Sequence, residues 1–185
     1  MAPMWTGDFP PLDGALENSG HPRIVTLEFL DVCSPRIRRF YSYWESRRNG
    51  RLMPTRGDIN PADIADLLPY IVLTEVLNEA PYLIYRLVGT KQVAMRGRDP
   101  TGMPVISNHL GHHIAFAPDE IILNYRFAIE KRQPIYDYYP LTGPDTGDTS
   151  FEAGPVKEIG TLLLPLSADG ERVNMVICCT DIRNA

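Results

Sequence analysis

Apolar residues recur every third or fourth position in two stretches of this chain, and form short runs or alternate with polar residues in several others. Ile37, Phe40, Tyr41 and Trp44 make an apolar stripe that predicts a helix from Pro35 to Asn49. Ser34 suits its N-cap, Pro35 its first turn and Gly50 its end. Ile121, Ile122, Tyr125, Ala128 and Ile129 share one face of a second helix, predicted from Pro118 to Arg132. Its acids (Asp119, Glu120) come first and its bases (Lys131, Arg132) last, as the helix dipole favours. Asn60-Pro61 opens a short helix that Pro69 stops. Ile71 to Leu77 and Tyr82 to Val88 read as strands of an antiparallel hairpin. Strands follow from Ile135 to Leu141, near Phe151 to Glu158, and from Thr161 to Leu166. A last strand, Val173 to Thr180, follows the Asp169-Gly170 turn. Helix, two strands, small helices, one long helix and then strands predict an α+β domain with a mostly antiparallel sheet.

Composition narrows the picture. The chain has 185 residues, 44% hydrophobic and 22% charged, which suits a domain able to bury its own core. Residues 1–22, rich in Pro and Gly, read as a disordered tail, 23–57 as an N-terminal helical extension, and 58–185 as the domain proper. A net charge of -5 argues against nucleic acid as the main partner. No apolar run approaches the roughly 20 residues of a membrane span. The first residues lack the basic start and apolar stretch of a secretory signal. Three cysteines, Cys33, Cys178 and Cys179, form no disulfide framework, and a cytoplasmic location is expected.

The segments YWESRRNGRLMPTRGDINPADIADLLPYIVL (43–73), YRLVGT (85–90), GRDPTG (97–102) and LPLSADG (164–170) resemble a bacterial, alphaproteobacterial family of small single-domain PAS proteins of unknown function. The resemblance covers roughly residues 30–181. It implies a PAS-like α+β fold, with about five antiparallel strands, helices on one face and an N-terminal helix. It also implies a sensing or protein-interaction role, and it carries over no catalytic residue. The stretch after the second strand would turn a corner at Gly89 and Gly97 and wall a pocket over the sheet.

That pocket, if present, lies between the sheet and the 118–132 helix, with Tyr85, Leu87, Met95, Ile122 and Tyr125 as expected lining. Strand alternation puts Tyr85 and Leu87 on one face and Arg86 on the other. Arg86 faces solvent, or pairs with a carboxylate (Asp99 or Glu152) or several carbonyls if that face is covered, or binds an anionic ligand. Tyr82, Tyr136, Tyr138 and Tyr139 line a pocket or an interface, or simply pack the sheet.

His109, His112 and His113 lack zinc-site spacing, so neither metal nor haem is expected. Asp145 and Asp148 do not fit a calcium loop, and the cysteine motif of flavin photochemistry is absent. No catalytic motif is recognisable, so the expectation is a non-enzymatic sensor or adaptor with no kinase, cyclase or DNA-binding segment. A small enzyme using the same cavity and a structural domain with a filled core are the alternatives, and any cofactor is unknown. Phe40, Tyr41 and Trp44 either fold back on the sheet or form a homodimer interface, the latter being expected because aromatics and arginine favour interfaces. The arginines from Arg36 to Arg56 meet an acidic partner, bind an anionic messenger or form a solvated face.

Overall fold

A computed structural model describes residues 12–17, 22–80, 82–105, 118–140 and 156–184. Helix α1 (Leu12–Glu17) falls in the stretch read as a tail and packs beside the long helix, with Leu12 buried. Strand β1 (Arg23–Ile24), helix α2 (Phe29–Val32) and helix α3 (Pro35–Arg47) follow. Three 3-10 turns, Arg56–Asp58, Pro61–Ile64 and Leu68–Tyr70, lead into β2 (Ile71–Val76), β3 (Leu83–Val88) and α4 (Thr90–Arg96). The long helix α5 (Pro118–Lys131) precedes β4 (Ile135–Pro140), β5 (Val156–Leu166) and β6 (Met175–Asn184).

The six strands form one antiparallel sheet in the order β1-β4-β5-β6-β2-β3. It has one strand more than the expected five. Arg23 holds the extra strand in place: it is ion-paired to Glu120 of α5, and its Nε donates to Asn124 Oδ1 at 2.5 Å. Asn124 in turn donates to Asp137 of β4, opposite Arg23 in the register. The two strands expected near 151–158 and 161–166 also differ. From Val156 onward they are one continuous strand, and residues 151–155 lie outside the described ones. Gly160 does not break it because the Tyr136 ring lies over the glycine, where a Cβ would come within 2.3 Å of the tyrosine hydroxyl.

Strand β6 sits inside the sheet, and Val176, Ile177, Cys178 and Cys179 are buried in succession. Neighbouring side chains on a strand point to opposite faces, so both faces of β6 need cover. On the inner face α5 supplies it: Cys178 Sγ lies 3.6 Å from the Tyr125 hydroxyl. On the outer face α3 does so, with Arg36 ion-paired to Asp181. The α3 stripe is therefore used inside the chain. Ile37, Phe40 and Trp44 are buried, Tyr41 is half-buried, and Trp44 Nε1 donates to the Pro165 carbonyl at 3.0 Å. Ser34 caps the helix through the Ile37 amide as expected.

The segment after β3 does turn a corner. Gly97 caps α4 at φ 70°, and Gly102 turns at φ 84°. Gly89 has another role than a turn: its φ is -64°, and a Cβ there would meet the Leu68 carbonyl oxygen at 2.2 Å. The chain then returns along β3. Tyr85 N donates to the Met103 carbonyl at 3.0 Å and Val105 N to the Leu83 carbonyl at 2.9 Å, covering part of an edge strand.

Trp44→Ala is expected to lose about 3–5 kcal/mol of stability in a denaturant titration, because it empties a core site between α3 and β5. A loss below about 1 kcal/mol would mean that α3 does not cover the sheet.

Candidate functional site

Strands β2 and β3 decide which side chains reach which face. Thr74 pairs with Tyr85 and the adjacent Leu73 pairs with Leu87, so the register skips Arg86. This is a β-bulge, and it breaks the alternation expected for β3. Tyr85 follows Thr74 to the inner face, and Leu87 follows Leu73 to the outer one. The expected grouping of Tyr85 with Leu87 is thus corrected, and the pocket expected on the inner face loses Leu87. Arg86 turns outward and pairs with Glu75 of β2, its Nε donating at 2.7 Å. Neither expected partner applies: Asp99 accepts from the Thr101 amide at 2.9 Å, and Glu152 lies outside the described residues.

The inner face gathers Tyr85, Tyr125 and Met95, all buried, while Ile122 on α5 is half-buried. Between them runs a polar cluster. The Tyr125 hydroxyl lies 2.9 Å from Thr74 Oγ1 and takes the Cys178 thiol at 3.6 Å. The guanidinium of Arg96, at the end of α4, stands 6.0 Å from the centre of the Tyr85 ring. Its Nη1 donates to the Gln92 carbonyl at 3.2 Å, and Gln92 Nε2 donates to the Tyr70 carbonyl at 3.3 Å. Arg96 Nε is buried without a hydrogen-bond partner. No carboxylate among the described residues forms an ion pair with this half-buried cation.

Arg96, Gln92, Thr74 and Cys178 are absent from the expected lining. Gln92 was the available signal, since a glutamine three and four residues before Met95 and Arg96 shares their helix face. It is only 2% exposed.

Burial pushes the Tyr85 phenol up and holds Tyr125 well above its ordinary range. The Cys178 thiol is pushed up to about 12, chiefly by burial, and Cys179 is raised for the same reason. These groups are therefore neutral hydrogen-bonding partners at ordinary pH, and a protonated thiol is a poor nucleophile. The cluster can recognise polar and anionic groups; it contains no ionised base.

The second expected surface is divided. Phe40 is inside the core, whereas edges of Tyr41 and Trp44 reach a shallow groove with Val25, Leu27 and Leu52. His109, His112, His113, Asp145 and Asp148 lie outside the described residues. Among the described residues no cluster of metal-ligating side chains occurs, and no helix is long and apolar enough to cross a membrane.

A comparison with protein families adds to this geometry. Residues 32–118 match a PAS domain. The matched PAS segment covers a little under half of the chain, from the end of α2 through α3, β2, β3 and α4 to the first residue of α5. It includes α3 and thus begins inside the stretch read as an extension. With the antiparallel sheet and its helices, the match supports reading the chain as a PAS protein. A PAS domain suggests a sensory or interaction module. No curated protein and no solved structure matches the chain.

Two measurements check the site. Arg86→Ala is expected to change stability by no more than about 1 kcal/mol, because its pair with Glu75 is largely exposed. Stability is expected to fall as pH rises above 9.0, the ordinary value for Cys178, and to go on falling toward about 12. The unfolded thiol ionises in that window while the folded one keeps its proton, so each such group costs up to about 1.4 kcal/mol per pH unit. Below pH 9.0 neither state ionises, and this contribution is intact. Urea titrations at successive pH values read it, and a flat profile would mean that Cys178 is not buried.

Proposed function

We propose that this chain is a sensory module that binds a small anionic molecule on the inner face of its sheet, beside α5, and signals by contact with another protein. The observation that carries this reading is Arg96. A half-buried guanidinium with an orphaned Nε and no carboxylate partner among the described residues is costly, and an anionic ligand would offset that cost. Tyr85, Tyr125 and Thr74 would add neutral polar contacts, and Met95 an adaptable apolar wall. Arg86 plays no part in this site, because its pair with Glu75 faces outward. The narrower likeness to single-domain alphaproteobacterial PAS proteins agrees with a module that acts through a partner.

Native mass spectrometry of the full chain as purified tests the reading. A species heavier than the 20.8 kDa chain is expected, and the added mass should be lost in Arg96→Leu but kept in Arg86→Ala. A bare chain mass in every preparation, with no small anion restoring a heavier species, would overturn ligand sensing. A heavier species that survives Arg96→Leu would overturn the role given to Arg96.

A further inference from the structure

A separate groove opens on the outer face, away from the buried cluster beside α5. Its volume is about 370 Å³, within the lower range of small-molecule sites at about 300–1,000 Å³. Its floor is Leu73, Leu87 and Ile177, and its wall is the 3-10 segment through Ile64 and Leu68. Three features of the fold build it. Helix α3 covers β5 and β6 but does not extend over these residues. The bulge at Arg86 turns Leu87 outward, leaving it 39% exposed. Gly89 lets the end of β3 approach the Leu68 carbonyl, which sets the wall against the floor.

The groove's lining is apolar apart from the Thr90 hydroxyl and the guanidinium of Arg56. Arg36, Arg39, Arg47, Arg48 and Arg51 each hold a carboxylate. Arg56 holds none among the described residues. Its Nη1 donates to the Ile59 carbonyl at 3.0 Å, and Ile59 itself lines the groove. That bond ties the guanidinium to a residue of the groove and leaves its other donors without a partner among the described residues. A cation held at one end of an apolar trough complements a molecule with an anionic head and an apolar body.

We infer that this outer groove binds an aliphatic carboxylate, with the chain lying on Leu73, Leu87 and Ile177 and the carboxylate meeting Arg56. The site is distinct from the cluster beside α5 and does not depend on the function proposed for that cluster.

Decanoate and decanol, which share an apolar body and differ in charge, are the probes, titrated against the full chain by calorimetry. Decanoate is expected to bind roughly tenfold more tightly than decanol, the scale of one hydrogen bond to a charged group. Arg56→Gln should bring decanoate down to the affinity of decanol and leave decanol unchanged. Both Arg56 and Leu87 are exposed, so their variants should fold, which an unchanged urea midpoint would verify. Leu87→Asp should abolish binding of both. In methyl NMR spectra decanoate should shift Leu73, Leu87 and Ile177. Saturation by neither compound, equal affinity for the two, or shifts centred on Met95 in the inner cluster would each overturn the proposal.

Discussion

The architecture depends on one constraint, that β6 lies within the sheet and is apolar at four consecutive positions. Val176 to Cys179 cannot all face one helix, because successive side chains alternate. Two covers are required. Helix α5 is one and α3 the other, each fastened by a polar contact as well as by burial: Tyr125 to Thr74 on the inner face, Arg36 to Asp181 on the outer. Aromatic residues suited to a dimer interface are also suited to this task. The exposed outer face of the chain's own sheet is a partner that is always present, and docking on it loses no translational freedom to association.

Cover by α3 is incomplete, and the bulge in β3 exploits the gap. One skipped residue sends Tyr85 inward and Leu87 outward, and it frees Arg86 to reach Glu75. The two faces consequently differ in chemistry. The inner one carries buried hydroxyls, a protonated thiol and a guanidinium with no carboxylate partner among the described residues. The outer one carries branched aliphatic side chains with a cation at the rim. The inner face is thus a buried polar cluster, whereas the outer face leaves an apolar groove open.

The arginine-rich stretch from Arg36 to Arg56 resolves into individual roles once the partners are visible. Five arginines are matched by carboxylates from α3, the 3-10 segment and β6, so most of the apparent basic patch is neutralised within the chain. Arg47 also lies over the Tyr43 ring, and Arg36 over Tyr70. The net effect is to fasten the N-terminal segment to the domain rather than to create a broad field.

Much of this was legible in the sequence. Helices α3 and α5 were readable from apolar spacing and end signals such as Ser34 and Pro35, because helix caps and periodicity are local properties. The β2–β3 hairpin and the Asp169-Gly170 turn were readable for the same reason. Tyr85, Met95 and Tyr125, expected to line a pocket, are buried, each on an apolar face of its own element. What the tertiary structure alone decided was every question of partnership. Leu87 left the inner face because a bulge depends on the register between two strands. Gly160 stayed in a strand because a ring from another strand covers it. Arg86 took Glu75, and Arg96 has no carboxylate partner among the described residues, because a charge finds its partner only across the folded chain. Local sequence determined which elements form, since their energetics are set within a few residues. Which faces meet, and which charges stay unmatched, was decided by contacts between residues far apart in sequence.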